Sequence, residues 1–346
     1  MNDLSFIYIM QLAFGYWNSH PLFILTRLNI FDVLNENPMR LEELGERVGF
    51  VSYSLSSILN AGVALRLLVK ENNIYRNSSI ADKFLFSGSP NSLVNWVKVM
   101  ERWTRPWTYL GEVVVKGHQI EFESKRLGED TAYLSEFILG MHEFALGSLD
   151  EYKANVGIKG AKYALDIGGG AGTYSIALCE TNADLRVKLL DLEHVLPIAT
   201  KIITEYGLQN RISVGVADYT KDPFGEGEAD VILLSNVLHQ ESPSMVRSIL
   251  ERVHEALKLD GELIIQGYFL DENRTSPLFA TLHNLSAIVL WNKGQSYTIG
   301  DMKIFLNDVD LTFETSFKIS NTGFSVIKAR KARIYSADLQ VLPNPE

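Results

Sequence analysis

The chain has 346 residues, 46% hydrophobic and 21% charged, a length for two domains and a balance that excludes disordered, collagen-like and coiled-coil chains. Its 32 basic and 42 acidic residues leave a formal charge of −10, which repels phosphate backbones and argues against nucleic-acid binding. The single cysteine, Cys179, has no partner for an internal disulfide, as expected in a reducing cytosol.

Between Leu4 and Thr26 no Asp, Glu, Lys or Arg occurs, a run about long enough to cross a bilayer. It carries Ser5, Gln11, Asn18, Ser19, His20 and Pro21, however, and lacks the basic start and small-residue cleavage site of a secretory signal. One or two aromatic-rich helices are expected there, covered by a second copy of the chain in a homodimer, because so much aromatic surface is costly to leave in water. The expected setting is cytoplasmic, with no membrane partner.

Over 38–86 the pattern reads helix 41–48 ending at Gly49, helix 54–68, and a hairpin with an Asn72-Asn73 turn. That is the outline of a winged helix. A recognition helix presents Arg and Lys to DNA, whereas 54–68 offers Arg66 alone, so a structural or dimerising role is expected. From 93 to 157 the chain reads as helical, with an aromatic cluster at Trp96, Trp103, Trp107 and Tyr109 and a helix over 137–149 carrying Met141, His142 and Glu143. After Lys162, strands expected at 163–167, 186–190, 212–216, 229–234 and 261–267 alternate with helices such as 244–257. A final strand pair is expected at 311–319 and 324–329. Such alternation means an α/β domain, a mostly parallel sheet with helices on both faces. The tail after Lys331 is polar and expected to be loose.

The sharpest motif is Leu165-Asp166-Ile167-Gly168-Gly169-Gly170-Ala171-Gly172 at the end of the first of these strands. Its glycines allow a tight turn and close approach of a ligand. Asp191 closes the next strand, where a carboxylate meets the two hydroxyls of a ribose. Asp218 follows the third strand in Val216-Ala217-Asp218-Tyr219. A dinucleotide loop is usually Gly-x-Gly-x-x-Gly, with the pyrophosphate on the helix N-terminus. Here Asp166 precedes the glycines; it repels a pyrophosphate but accepts hydrogen bonds from an ammonium. That favours S-adenosyl-L-methionine, which carries an ammonium and a sulfonium, over a nicotinamide cofactor.

The loop, Leu190-Asp191-Leu192-Glu193-His194-Val195, Asp218 and Asn236-Val237-Leu238-His239 resemble the small-molecule O-methyltransferases. Phe14-Gly15-Tyr16-Trp17 and 270–277 resemble the bacterial branch, which acts on secondary metabolites. The resemblance spans nearly the whole chain. It implies a winged-helix-like dimerisation domain over 1–95, a helical linker contributing to the acceptor pocket over 96–157, and a Rossmann-like, seven-stranded donor-binding domain over 158–335. It also assigns Asp166, Gly168, Gly170, Asp191, Leu192, Asp218, Tyr219 and Ser235 to the donor, with Tyr219 over the adenine.

His239 opens the loop after the fourth strand, where parallel sheets carry their chemistry. A neutral imidazole there takes the proton of an acceptor hydroxyl, and the resemblance places the general base at this position. Two departures stand out. The family's acid at the end of strand five is replaced in Ile265-Gln266-Gly267-Tyr268, and a later acid falls near Ser296. A base without an orienting acid loses rate; Glu241 and Glu143 are the candidate substitutes, and His142 and His283 are candidate surrogate bases. His20, His118, His194 and His254 are expected on surfaces or helix faces. The acceptor is expected to be flat and aromatic, contacted by Trp103, Met141, His142, His283, Asn284 and Trp291. No Cys/His spacing suggests a metal. Two rival readings remain: transfer to nitrogen or carbon or another use of the bound donor, and a ligand-sensing winged-helix regulator.

Overall fold

The computed structural model describes residues 6–49, 53–117, 130–158, 160–291, 294–320 and 322–332. The chain divides into two units, Met1–Asp150 and Glu151–Glu346.

In the first unit the uncharged N-terminal run forms two helices, Phe6–Ala13 and Gly15–Arg27. The second buries Phe23 and Leu25, whereas the first buries none of its residues within the protomer. Helices Leu41–Val48 and Tyr53–Ala64 send Leu44, Leu55 and Leu59 into a core shared with Ile30, Phe31 and Tyr75. Strands β1 (Met39–Arg40), β2 (Leu68–Glu71) and β3 (Ile74–Asn77) form an antiparallel sheet in the order β1-β3-β2. Asn72 and Asn73 both take positive φ, 51° and 62°, as a tight primed turn requires.

In this unit two helices differ from the sequence reading. The helix expected over 54–68 stops at Ala64 because Arg66 turns left-handed, φ 60°, and the Leu67 N–H reaches back to the Gly62 carbonyl at 2.9 Å. That closure releases Leu68 to start β2. The helix expected over 137–149 runs instead over Thr131–Leu146. Its start is fixed by the Asp130 carboxylate, which accepts from the Tyr133 N–H at 2.9 Å, a cap that substitutes for the first missing intrahelical bond. Leu149–Val156 is a separate helix.

In the second unit, β4 (Tyr163–Ile167), β5 (Arg186–Asp191), β6 (Ile212–Val216), β7 (Ala229–Ser235) and β8 (Leu257–Gly267) run parallel to one another. β9 (Leu311–Lys318) and β10 (Ser325–Lys331) complete the sheet, β10 running antiparallel to both β8 and β9. The order is β6-β5-β4-β7-β8-β10-β9. The chain therefore builds outward from β4 through β5 to β6, then returns to the other side of β4 with β7. Ligand crevices lie at such a reversal, beyond the carboxyl ends of the strands.

Burial on both faces explains the apolar runs: in β7, Val231, Ile232, Leu233 and Leu234 are all buried. The Pro243–Ala256 helix starts with Ser242 as cap and Pro243 in its first turn, then buries Val246, Ile249, Leu250 and Val253 at helical spacing. The sequence reading carried this helix to residue 257 and began β8 at 261. Leu257 instead takes extended backbone and pairs with Ala229, and the register shifts between Ala229 and Val231. The polar tail beyond 332 and His118 lie outside the described residues.

Candidate active site

Three strand ends meet at the reversal. After β4 the chain passes through Gly168, Gly170 and Gly172, all at positive φ (68°, 55° and 80°). A Cβ on Gly168 would stand 2.8 Å from Val237 Cγ2, and one on Gly169 would stand 2.6 Å from Leu189 Cγ. At Gly170 a Cβ meets nothing within 4 Å. The loop is thus packed against the Val237 side chain beyond β7 at Gly168, against β5 at Gly169, and open at Gly170.

Asp191, at the end of β5, ties this loop down. Its Oδ2 accepts from the Gly170 N–H at 2.8 Å and its Oδ1 from the Leu192 N–H at 2.7 Å. Burial raises its pKa, while these two N–H groups work in the opposite direction. Leu192 beside it leaves an apolar side chain exposed, as does Val216 at the end of β6.

Asp166 lies beneath the loop. It is 2% exposed; Oδ2 accepts from the Ser175 hydroxyl at 2.6 Å, and Oδ1 is buried without a hydrogen-bond partner. Burial pushes its pKa up to about 7, against the pull of Ser175. Asp218 closes its own turn, accepting from Thr220 Oγ1 at 2.6 Å and Thr220 N at 2.9 Å, with Lys221 Nζ 3.2 Å away. Its slight burial raises the pKa, but Thr220 and Lys221 together hold it below the ordinary carboxylate value. The Tyr219 ring runs alongside Gly168, 3.6 Å from where a Cβ would stand. Its hydroxyl lies 3.4 Å from both Gln240 Oε1 and Glu241 Oε1.

The resulting crevice offers a carboxylate beside an apolar wall, a backbone gap at Gly170, and a buried carboxylate oxygen in need of a donor. Those features fit S-adenosyl-L-methionine: hydroxyls for Asp191, a flat ring for Leu192, and a cation in reach of an acidic site.

After β7, Asn236 adopts a left-handed conformation, φ 58°, and its N–H donates to the Gln266 carbonyl at 2.8 Å. This strained turn leads into the short Leu238–Gln240 3₁₀ turn that presents His239. The His239 ring is 9% exposed. It stands edge-to-face with His283 and with Trp291, at centroid distances of 4.8 and 5.1 Å. Burial, then the neighbouring His283, hold its pKa well below 6.5. His283 is pushed down to about 4 by burial, and its Nδ1 is buried without a partner.

Both missing acids are replaced by neutral groups. Gln266 pairs in register with Ser235 and donates through Nε2 to Tyr174 Oη at 2.5 Å; Ser296 is 2% exposed. Glu241 accepts from Tyr219, and Glu143 accepts from Asn95 Nδ2 at 2.6 Å and Trp96 N at 3.0 Å. Among the described residues, burial and His283 set the proton affinity of His239.

The structure thus brings together His239, His283 and Trp291 in one cluster. Asn284 is engaged elsewhere, its Oδ1 accepting from the Ser296 N–H at 2.7 Å. Met141 and His142 lie half-buried on the Thr131–Leu146 helix of the first unit. Trp103, offered above as an acceptor contact, is only 9% exposed and donates from Nε1 to Tyr133 Oη at 3.1 Å, a core position. His20 and His194 are exposed and His254 is half-buried. Sequence reasoning missed Tyr268, whose ring packs 4.5 Å from His283 and 4.4 Å from Phe324. Its place just beyond the end of β8 was the available signal. Among the described residues there is no group of three or more His, Cys, Asp or Glu placed to hold a metal, and no helix long and apolar enough to cross a membrane.

Comparison with known proteins bears on this site. Residues 107–308 match the O-methyltransferase domain and residues 10–87 the O-methyltransferase dimerisation domain. The chain is 27% identical over 326 residues to a 3-hydroxy-5-methyl-1-naphthoate 3-O-methyltransferase from Streptomyces sahachiroi, covering 93% of this chain and 94% of that protein. It is 27% identical over 286 residues to an N,N-dimethyltransferase from Streptomyces rimosus, covering 80% and 81%. The crystal structure of human N-acetylserotonin methyltransferase in complex with S-adenosyl-L-methionine superposes with a TM-score of 0.83 at 23% identity, covering 96% of this chain and 99% of that one. By these matches the chain belongs to the O-methyltransferase family and is an S-adenosyl-L-methionine-dependent methyltransferase.

Proposed function

We propose that the protein transfers the methyl group to a hydroxyl of a small aromatic secondary metabolite, with His239 as general base. The observation that carries this reading is the position of His239: a neutral imidazole at the carboxyl end of β7, one strand from the glycine loop and walled by aromatic rings. The donor, when bound, supplies an electrophilic methyl on a sulfonium.

The chain's own residues have the remaining work. Asp191 and Leu192 hold the nucleoside, and the gap at Gly170 admits it against the backbone. Tyr219, beside Gly168, covers the adenine; Asp218, Gly168 and Ser235 complete the wall. The Asp166 carboxyl accepts from the donor's ammonium, which relieves its burial. His283 and Trp291 flank the acceptor, and His239 takes its hydroxyl proton as the oxygen attacks. Alignment and exclusion of water supply most of the acceleration, since the sulfonium is already reactive.

The naphthoate 3-O-methyltransferase from S. sahachiroi supports an aromatic hydroxyl as the target. A second reading, transfer to nitrogen, is favoured by the bare His239 ring, because an amine can attack without prior loss of a proton; the N,N-dimethyltransferase from S. rimosus lends it support. Incubation with S-adenosyl-L-methionine and matched pairs of naphthols and naphthylamines decides between them. Methyl ethers are expected; methylamines alone would transfer the case to nitrogen.

A further inference from the structure

Among the described residues, no counter-charge acts on the His239 ring. Burial and the adjacent His283 are the influences on its proton affinity, and both lower it. In register with the end of β7 stands Gln266, its amide turned to the Tyr174 hydroxyl. Ser296 is neutral and buried. The acid next but one in sequence, Glu241, lies against Tyr219. From the Leu278–Leu290 helix the titratable neighbour is His283, itself held neutral by burial.

Methyl transfer has to dispose of a proton. The acceptor oxygen bonds to the methyl carbon, the C–S bond breaks with its electron pair left on sulfur, and the hydroxyl proton goes to His239 or has already gone to water. An ordinary phenol has a pKa of about 10, so handing its proton to a ring well below 6.5 is uphill by more than about three powers of ten. The same arrangement suits a hydroxyl that ionises easily. A neutral imidazole keeps one N–H to donate to an oxyanion, and the loss of both family acids removes the carboxylates that would repel one.

We propose that the acceptor is an acidified hydroxyl, a phenol or enol conjugated to a carbonyl or similar electron-withdrawing group, which reaches the His239–His283–Trp291 cluster ionised or readily ionised. This rests on the O-methylation reading above and narrows its substrate class.

The test is kcat with saturating S-adenosyl-L-methionine at pH 7.5 over phenols and naphthols of matched size whose acidity is graded by ring substitution, for the wild type and His283→Asp. Across about four units of acceptor pKa, the wild-type rate should fall about a hundredfold from the most to the least acidic member. His283→Asp sets a carboxylate against the His239 ring; it should raise the least acidic acceptors about tenfold and slow the most acidic ones. Hydroxyl methylation at a rate independent of acidity overturns the proposal and leaves O-methylation standing. Methylation of amines with no hydroxyl of the series accepted overturns both. Calorimetric binding of S-adenosylhomocysteine shows whether His283→Asp is folded at the donor site; where it is not, the wild-type dependence decides alone.

Discussion

The Gly170 N–H donates to Asp191 Oδ2 at 2.8 Å, joining the loop after β4 to the acid that ends β5. One carboxylate thereby shapes the loop, and under the reading proposed above it also takes the ribose hydroxyls of the donor. Asp191→Ala should weaken S-adenosylhomocysteine binding about a hundredfold, the loss of charge-assisted hydrogen bonds worth roughly 3 kcal/mol. Stability should change by only about 1 kcal/mol, since releasing a buried charge offsets the two N–H groups left behind. Calorimetry paired with a thermal melt separates the effects; unaltered affinity in a folded variant would move the nucleoside site elsewhere.

Gly168 and Gly170 share a positive φ yet differ in surroundings. Alanine at either pays for a left-handed backbone, about 1–2 kcal/mol, but only at Gly168 does the methyl meet a packed side chain, that of Val237. Gly168→Ala should therefore be the less stable protein in a denaturant titration. Gly170→Ala should be the more selective loss: milder in stability, with donor affinity down at least about tenfold because the methyl fills the ligand's space. The reverse ranking would show that the opening at Gly170 is not the donor's seat.

Much of this site was legible in the sequence because the strand ends carry their own punctuation. The glycine loop, Asp191 and Asp218 each follow an apolar run, and β4 and β6 fall at the expected bounds. Boundaries slipped where a single backbone conformation decides the outcome, as at Arg66 and Leu257, or where a side chain caps a helix early, as at Asp130. Contacts between distant segments were not legible. Nothing in sequence spacing brings His283 to His239, or Gln266 to Tyr174, nor shows that Trp103 is spent on Tyr133. Those pairings come from how strand-end loops fold over the sheet.

The His239 ring, held well below its ordinary pKa by burial and by His283, is neutral throughout the working range. The pH profile of kcat/KM should show no histidine limb near 6.5; its acid limb belongs well below that, and any rise toward alkaline pH belongs to the acceptor hydroxyl. His239→Ala should lower kcat about a hundredfold on a phenolic acceptor and leave S-adenosylhomocysteine affinity unchanged. A limb at about 6.5 that disappears in His239→Ala would contradict this account of the ring's surroundings.

His283 gives the same physics a stability readout. Its ring takes a proton near 6.5 when unfolded and only near 4 when folded. The unfolded chain thus binds more protons between these values, and stability falls as the pH drops below 6.5. Asp166 acts oppositely: its carboxyl, raised to about 7 by burial, favours the fold at low pH and loses that contribution as the pH rises from 3.8 through 7. The His283 contribution is isolated by comparison with His283→Phe, which keeps a ring and drops the titration. Relative to that variant the wild type should lose about 2 kcal/mol between pH 7.5 and pH 5. Parallel denaturation curves at the two pH values would refute the assignment.

The Phe6–Ala13 helix carries Phe6, Ile7, Ile9 and Leu12 more than half exposed, and Tyr16 and Trp17 continue the same apolar character into the next helix. Phe14 and Trp17 stack with centroids 4.3 Å apart, a rigid aromatic pair on the open surface. A surface of this kind is stable only when covered, and it leads into the segment, from residue 10 on, that matches the O-methyltransferase dimerisation domain. The occupant expected is a second copy of the chain. Sedimentation should give a dimer at micromolar concentration. The double substitution Ile9→Asp and Trp17→Asp places charges in the buried centre of that contact, where one anchor residue is worth about 2 kcal/mol or more. Dissociation should shift by at least about a thousandfold, giving monomers that still bind S-adenosylhomocysteine, because the residues proposed to hold the donor all belong to the second unit. A wild type that sediments as a monomer would leave this aromatic surface for a different partner.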